Sequence, residues 1–167
     1  DKIKMKKILL ISDTHGFIDQ KIIQYARESD EVWHAGDIGD IKVTDELEKA
    51  TKLRAVYGNI DNNGIRAEYP ENLRFVCEGV RVWITHIGGY PNRYYHKIKE
   101  EINNNPPDIF ICGHSHILKI INDKKLNLLH INPGAIGKQG FHQVRTMVRF
   151  QVDESKIKNL EVIEFKR

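Results

Sequence analysis

The sequence predicts an α/β fold in which two mixed sheets pack face to face and helices cover their outer faces. Three observations lead to this prediction. Short apolar runs, several of them ended by glycine, recur along the chain and are typical of buried strands. The first three runs alternate with helical patterns, which favours parallel strands. The later runs follow one another as hairpins, and strands of both kinds in this number indicate two sheets.

The first half of the chain is predicted to form a β-α-β-α-β unit. Its strands are expected at 6–12, 31–35 and 53–57. The segment 19–28 has apolar residues at helical spacing, and Asp19 is placed to cap this helix. A second helix is expected over 44–52, with Thr44 or Asp45 as its cap.

The second half is predicted to consist mainly of antiparallel pairs. Gly79 separates two alternating runs, which therefore form a tight hairpin. The predicted strands are 73–78, 80–86, 108–112, 117–122, 126–131, 144–152 and 157–165. A third helix is expected over 94–104, ended by a run of asparagine and proline. Asn132-Pro133-Gly134 is predicted to be a turn that supports the neighbouring loops.

Length and composition favour one globular domain over residues 1–167. A hydrophobic content of 40% and a charged content of 29% are ordinary for such a domain. Met5 is followed by two lysines and an apolar run, as at a native start. Residues 1–4 are therefore expected to be additional to the natural chain or disordered.

Charge and cysteine usage exclude several classes of protein. The net charge of +3 comes from lysines that are spread along the chain, which argues against nucleic-acid binding. Cys77 and Cys112 lie in apolar runs and are expected to be buried thiols, not a disulfide. Because no apolar run is long enough to span a membrane and no leader pattern is visible, we expect a cytoplasmic protein.

Side chains that bind metal ions follow five of the predicted strands. They are Asp13, His15, Asp37, Asn59, His86, His114 and His116. Open α/β folds place their sites at the carboxyl ends of strands, so these side chains are expected to converge. Seven nitrogen and oxygen donors predict two adjacent metal ions, and such a pair indicates hydrolysis of a phosphate ester.

The order of these motifs resembles the calcineurin-like metallophosphoesterase superfamily. The motifs read Asp13-Thr14-His15, Gly36-Asp37-Ile38-Gly39-Asp40, Gly58-Asn59-Ile60-Asp61, His86 and Gly113-His114-Ser115-His116. Together they span nearly the whole chain. The small size and the Asn132-Pro133-Gly134 segment are similar to the compact prokaryotic phosphodiesterase branch of that superfamily. The resemblance implies a four-layer α/β/β/α sandwich.

The resemblance also implies an assignment of the ligands. One ion is expected to be held by Asp13, His15, Asp37 and His116. The other is expected to be held by Asp37, Asn59, His86 and His114, so that Asp37 bridges the two. Mixed imidazole and carboxylate donors suit Mn, Fe, Zn, Co or Ni better than Mg, and we expect two divalent ions, with Mn first. Asp37, Asn59 and His86 are also predicted to be catalytic, with a metal-bound hydroxide attacking phosphorus in line.

Residues next to the ligands have two interpretations each. Asp40 and Asp61 are predicted to support the ligands, although Asp40 is also placed to cap a helix. Tyr90 and Arg93 lie in a segment that is either a surface loop or a lip contacting a small phosphoester substrate. Most members of the superfamily carry His where this chain has Ile60, so a general acid from the protein is in doubt here.

Four further histidines are interpreted as structural. They are His34, His96, His130 and His142, and buried members of this group are expected to be hydrogen-bonded. The favoured function is a metal-dependent phosphodiesterase. The alternatives are a phosphomonoesterase, a nuclease, and a non-catalytic protein-binding scaffold of the same fold, as in the retromer subunit. A nuclease would require a basic groove. The oligomeric state is open, with a homodimer among the possibilities.

Overall fold

The computed structural model describes residues 5–167, so the prediction for residues 1–4 lies outside the described residues. Twelve strands lie in the described part of the chain: β1 Lys6–Ile11, β2 Glu31–His34, β3 Lys52–Ala55, β4 Asn72–Cys77, β5 Val80–Thr85, β6 Gly89–Tyr90, β7 Arg93–Tyr94, β8 Ile109–Ile111, β9 Lys119–Asp123, β10 Leu128–Asn132, β11 Val144–Asp153 and β12 Lys156–Lys166. The helices there are α1 Gln20–Arg27, α2 Ile41–Ala50, α3 Asn63–Glu68 and α4 Lys99–Asn104.

The strands form two five-stranded mixed sheets, as the sequence predicts. The first sheet has the order β12-β11-β1-β2-β3, and the second has the order β4-β5-β8-β10-β9. The β1, β2 and β3 strands are parallel, and β11 and β12 are antiparallel to their neighbours. In the second sheet, β8 is parallel to β5 and β10. A separate two-stranded ribbon joins β6 and β7.

Alternation along the strands gives each sheet an inner and an outer apolar face. Leu10 of β1 and Ile84 of β5 belong to one buried core, which lies between the two sheets. Leu9, one residue away from Leu10, instead packs in a core with side chains of α1, α2 and α3. Residues of α4 pack with Trp83 and Phe110 on the outer face of the second sheet. The four-layer α/β/β/α arrangement is therefore confirmed.

Helix boundaries differ from the prediction at three places. Asp19 caps α1 as expected, accepting from the Ile22 amide at 2.9 Å. The second helix begins at Ile41, not at Thr44, because Asp40 caps it by accepting from the Lys42 amide at 2.9 Å. The α3 helix was not predicted, and its cap is Asn62.

The third predicted helix, over 94–104, is wrong in its first half. Tyr94 lies in β7, and α4 spans only Lys99–Asn104. The ring of Tyr94 packs edge-on against Phe110 at 5.8 Å, and its hydroxyl donates to Asp123 at 2.6 Å. These tertiary contacts hold the segment extended and override its helical spacing.

Two other expectations concern the thiols and the membrane. Cys77 and Cys112 are both buried and free, as predicted. Between residues 5 and 167, none of the helices combines the length and the apolar character that a membrane crossing requires.

Candidate metal centre

The carboxyl ends of β1, β2, β5 and β8 meet at one edge of the sandwich and bring the predicted ligands together. Asp13 Oδ1 lies 3.2 Å from His116 Nε2 and 3.8 Å from the Nε2 atoms of His15 and His86. Asn59 Oδ1 lies 3.0 Å from His114 Nδ1. Ligands that are 103 positions apart in sequence therefore share one cradle, because both sheets end there.

The donors divide into two groups. Asp13, His15 and His116 offer atoms that all lie within 4.8 Å of one another, and so do Asp37, His86 and His114. Each group takes residues from both sheets. The two groups correspond to the two sets that the resemblance implies, with Asn59 beside the second.

Three buried polar atoms in the cradle have no hydrogen-bond partner among the described residues: Asp13 Oδ1, His15 Nε2 and His86 Nε2. Leaving such an atom unpaired costs about 1–3 kcal/mol. Two of the atoms, Asp13 Oδ1 and His15 Nε2, belong to one group of donors, and His86 Nε2 belongs to the other. Imidazole nitrogens and carboxylate oxygens are donors for Zn, Mn, Fe, Co and Ni, so these residues fit divalent metal ions.

Hydrogen bonds on the far side of two predicted ligands, His86 and Asp13, fix their orientation. His86 Nδ1 donates to the Ala35 carbonyl at 2.7 Å, which leaves Nε2 free to bind a metal. Asp13 Oδ2 accepts from Ser12 Oγ at 2.7 Å and from the His114 amide at 3.1 Å, which directs Oδ1 into the cradle. Such partners are typical of metal sites, where they hold the ring and the carboxylate in place.

Asp61, which is predicted to support the ligands, joins two loops of the cradle. Its buried carboxylate accepts from the amides of Ile38 at 3.1 Å, Gly39 at 2.8 Å and Gly58 at 2.8 Å. The loop that carries Asp37 is thereby fixed to the loop after β3. Asp40 is exposed and acts as the cap of α2, the other role considered for it.

Five of the predicted ligands have a left-handed backbone. The φ angles are 55° for Asp13, 45° for His15, 56° for Asp37, 72° for His114 and 63° for His116. This conformation costs roughly 1–2 kcal/mol for a residue with a side chain, although Asp and His tolerate it better than most. Its repetition at ligands is typical of a functional site, where surrounding contacts hold the backbone in place.

Two glycines allow the loops to approach the carboxylates closely. A Cβ at Gly58 would collide with the backbone and the carboxylate of Asp37. A Cβ at Gly113 would collide with Ser12 Oγ and lie 2.7 Å from Asp13 Oδ2. Neither position tolerates a side chain while the cradle keeps this shape.

The histidines and carboxylates of the cradle shift one another's pKa. The carboxylates of Asp13 and Asp37 raise the pKa of His15 to about 9. Burial opposes a charged His86, but Asp37 and Asp13 outweigh it and raise the pKa of that ring. Burial opposes ionisation of Asp37, yet His15 and His86 hold its pKa far below the ordinary value. A metal ion must therefore displace protons from these rings.

The remaining members of the cradle are shifted by the same forces. Burial would raise the pKa of Asp13, but the neighbouring rings of His116 and His15 lower it well below the ordinary range. Burial and the neighbouring His86 lower the pKa of His114. A lowered pKa favours the neutral form of His114, which is the form that binds a cation.

Two open cavities flank the cradle. One, of about 290 Å³, borders His114 and is lined by Tyr90 and Arg93, the two residues predicted to form a lip. The other, of about 400 Å³, borders Asn59 and His86. Tyr90 and Arg93 face each other across the β6–β7 ribbon, which forms one wall of the first cavity.

Supporting residues were only partly visible in the sequence. Asn132 Nδ2 donates to the Gly113 carbonyl at 2.9 Å and to Ser115 Oγ at 3.1 Å, so its side chain, and not only the turn backbone, supports the His114 loop. His34 is buried and hydrogen-bonded, as predicted, to Thr14 Oγ1 at 3.0 Å and to the Gly36 amide at 3.1 Å. The sequence analysis did not identify Thr14 and Ser12 as supporting residues. The only sequence feature that points to them is that they flank Asp13.

Comparisons with known proteins agree with this geometry. Residues 5–155 match the calcineurin-like phosphoesterase superfamily domain. A probable metallophosphoesterase of Methanothermobacter thermautotrophicus is 29% identical over 134 residues, which cover 75% of this chain and 74% of that protein.

Solved structures share the fold at low sequence identity. Zn²⁺-complexed Vps29 of Entamoeba histolytica has a TM-score of 0.72 at 15% identity, covering 96% of this chain and 98% of that chain. A novel archaeal phosphodiesterase has a TM-score of 0.66 at 23% identity, covering 95% and 99%. The match over residues 5–155 decides the family, and the resemblance seen in the motifs is confirmed: the chain belongs to the calcineurin-like phosphoesterase superfamily.

Proposed function

We propose that the protein is a metal-dependent phosphodiesterase that acts on a small phosphoester with two divalent ions. The position of Asp37 carries the proposal. Its Oδ2 lies 3.4 Å from His15 Nε2, in one group of donors, and 3.1 Å from His86 Nε2, in the other. A carboxylate that borders both groups is what two ions with a shared ligand require.

The proposed ligands are those assigned from the motifs. Asp13, His15 and His116 would hold one ion, His86, His114 and Asn59 would hold the other, and Asp37 would serve both. When bound, two such ions lower the pKa of a water toward neutrality and neutralise charge that develops on phosphorus. The protein's own part is to fix the donors, through the Ala35 carbonyl on His86 and the Ile60 amide on Asp37, at 2.7 and 3.1 Å.

The nearby side chains do not offer a nucleophile of their own. Burial raises the pKa of the Cys112 thiol to about 12, which keeps it protonated and unreactive. Ser115 Oγ accepts from Asn132 and from the Ile117 amide at 3.2 Å, and it has no base beside it in these contacts. The proposed reaction is therefore a direct attack by water and not one that passes through a covalent intermediate.

One feature favours a diester over a monoester, and a second limits the leaving group. The two cavities lie on different sides of the cradle, one beside His114 and one beside Asn59 and His86, so each substituent of a diester has a place. Ile60, whose side chain is 47% exposed, supplies no proton to a leaving alcohol. This limitation suits esters with good leaving groups.

A protein-binding scaffold is the second candidate, because the likeness to Vps29 covers nearly the whole chain. Fold likeness at 15% identity does not distinguish a scaffold from an enzyme. The three unpaired buried atoms fit a metal site, which the proposed enzyme requires. Because the Vps29 structure also contains Zn²⁺, turnover and not metal binding is what distinguishes the two candidates.

The test is hydrolysis of bis(p-nitrophenyl) phosphate and p-nitrophenyl phosphate by protein of known metal content. We expect two equivalents of metal per chain, faster turnover of the diester, loss of activity on chelation and recovery with Mn²⁺. A metal-free sample with full activity would contradict the metal requirement. A metal-loaded sample without activity on either ester would favour the scaffold.

A further inference from the structure

His142, one of the histidines interpreted from the sequence as structural, uses only one of its two ring nitrogens in that way. Its Nε2 lies 2.8 Å from the Gly137 carbonyl oxygen. Because a carbonyl oxygen only accepts hydrogen bonds, the neutral ring carries its proton on Nε2, and Nδ1 is an acceptor. This Nδ1 is buried and has no hydrogen-bond partner among residues 5–167. It can therefore accept one further hydrogen bond from a neighbouring group.

The unpaired nitrogen lies beside His116, a predicted ligand of the first ion. The two rings are 5.2 Å apart between centroids and nearly perpendicular, at 85°. A Cβ at Gly140 would collide with His116 Nδ1 and would lie 3.3 Å from His142 Nδ1. Gly140, with a φ of 122°, has no side chain to fill this position. The two Nδ1 atoms therefore border the same small gap.

This gap lies behind the His116 ring, away from the cradle. His116 Nε2 is 3.2 Å from Asp13 Oδ1, so the Nε2 edge of the ring faces the other donors. His142 does not belong to either group of donors whose atoms lie within 4.8 Å of one another. It is thus placed to contact a ligand and not to be one.

The loop that carries His142 is fixed by backbone hydrogen bonds. The Gly137 amide donates to the Asp13 carbonyl at 3.1 Å. Arg167 donates to the carbonyls of Lys138 and His142, each at 2.7 Å. Because these bonds already hold the loop, little conformational freedom is left for His142 to lose when it contacts its neighbour.

A histidine that binds a metal through Nε2 keeps its proton on Nδ1 and donates it to an acceptor behind the ring. This second contact fixes the ring plane and makes the ligand more basic. For His86, the acceptor is the Ala35 carbonyl, 2.7 Å from Nδ1. For His116, the acceptor that borders Nδ1 is the unpaired nitrogen of His142.

We propose that His142 is a positioning residue, whose Nδ1 accepts a hydrogen bond from Nδ1–H of His116 and so orients that ring toward the first ion. The inference rests on the proposed function, which includes His116 among its ligands. His142 contacts neither the substrate nor the reacting atoms in this assignment.

Two substitutions separate this role from simple support of the loop. Asn has its amide group near the position of Nδ1, so His142→Asn keeps an acceptor toward His116 and loses the bond to Gly137. Gln reaches the position of Nε2, so His142→Gln keeps the bond to Gly137 and loses the acceptor. His142→Phe removes both contacts and keeps a planar ring.

Titration with Co²⁺ alone, followed by its visible absorption, measures the affinity of each of the two sites. In His142→Gln and His142→Phe, we expect one site to be weakened roughly 10- to 100-fold, the usual effect of losing the partner behind a ligand. That site should stay close to wild type in His142→Asn, and the other site should be unchanged in all three. Thermal unfolding should rank the variants differently, with His142→Gln the most stable because it keeps the bond to Gly137.

His130 offers a matched control. Buried histidines of the structural group were expected to be hydrogen-bonded, and for His130 this is wrong, since neither ring nitrogen has a partner in the described part of the chain. Its ring lies 5.9 Å from that of Phe110, an apolar neighbour. An unpaired nitrogen is therefore not sufficient, and the neighbour decides the role. His130→Phe should leave both affinities for Co²⁺ unchanged.

Weakening in His142→Asn that equals or exceeds the weakening in His142→Gln would overturn the proposal, because support of the loop would then explain the effect. Unchanged affinities in every variant, or equal weakening by His130→Phe, would overturn it as well. Since binding and not hydrolysis is measured, two bound equivalents without turnover would refute the proposed activity and leave this inference standing. Absence of Co²⁺ binding to wild type would refute the ligand assignment itself.

Discussion

The two ends of β2 carry buried carboxylates in opposite surroundings. Glu31, at the start of the strand, accepts from Arg54 Nε at 2.8 Å, Trp33 Nε1 at 3.0 Å and Lys6 Nζ at 3.0 Å. Asp37, just beyond the other end, lies among histidines, and the adjoining Asp13, His15 and His86 keep unpaired buried atoms. One end is a closed network of ion pairs, and the other is an open set of donors.

This difference separates a group that stabilises the fold from a group that binds a ligand. Burial would raise the pKa of Glu31, but Trp33, Arg54 and Lys6 lower it to about 2, and no oxygen of this carboxylate is left unpaired. In the cradle, carboxylates are also ionised, but their neighbours leave room for cations. Completeness of hydrogen bonding, rather than charge or burial, therefore distinguishes the two ends.

The largest effect is expected from Asp37→Asn. The amide has one neutral oxygen in place of a shared carboxylate, so both proposed ions should bind more weakly. We expect turnover to fall about 10²-fold or more, the range seen when a key electrostatic group is removed. Metal content and kcat should be measured on the same sample; retention of both would show that Asp37 is not shared.

A smaller loss is expected from Asp61→Asn, which acts on the same loop from behind. Its carboxylate joins the amides of Gly39 and Gly58, and loss of such a support typically lowers metal affinity 10- to 100-fold. Metal titration with a fluorescent competitor measures this change. Asp40→Asn is the control, because Asn also caps helices; its metal affinity should match that of wild type.

At the closed end, Glu31→Gln should lower stability without changing metal-dependent turnover. Loss of the charged bonds to Arg54 and Lys6 should reduce the free energy of unfolding by about 1–3 kcal/mol. Since the pKa of Glu31 is lowered in the folded state, its contribution is present above the ordinary value of 4.5 and disappears as pH falls toward about 2.

Denaturation by urea at several pH values tests the Glu31 prediction. The difference in unfolding free energy between wild type and Glu31→Gln should be largest near pH 6 and shrink as the solution becomes more acidic. A difference that does not depend on pH would mean that the ion pairs contribute little. A loss of turnover at unchanged metal content would mean that the two ends are coupled.

The smallest effect is expected from Ile60→His, which adds a polar group to the open end. The side chain of residue 60 is 47% exposed and its amide donates to Asp37 Oδ1 at 3.1 Å. An imidazole there offers a proton to leaving alcohols, so alkyl esters should gain more than aryl esters, by less than the roughly 10²-fold of a well-placed acid. Parallel rate plots against leaving-group pKa would show that position 60 faces away from the departing oxygen.

Strand pattern and motif order were sufficient to predict the two sheets and the convergence of the donors. Five of the apolar runs end at a donor, so the strand directions alone bring Asp13 and His116 to one edge. Local spacing failed where tertiary contacts decide. Tyr94 is extended because its ring and hydroxyl are held by the second sheet. The α2 helix begins after Asp40 because Asp40 caps it, and the spacing of apolar residues does not reveal that start.

His130 shows a further limit of sequence reasoning. Alternation within a hairpin predicts that it is buried, and it is. Whether a buried ring finds a partner depends on what the adjacent strands and the β6–β7 ribbon place around it. That information arises from residues far apart in sequence, such as Tyr90 and Lys119, and no local pattern contains it.

Each donor group takes residues from both sheets, and this has a consequence for folding kinetics. On the proposed assignment, Asp13 of the first sheet and His116 of the second must be in contact before their ion is held. Metal binding can therefore occur only after the sheets have docked. Its rate would report on that long-range step of folding. A stopped-flow refolding experiment with a metal indicator would then record the moment at which the two sheets meet.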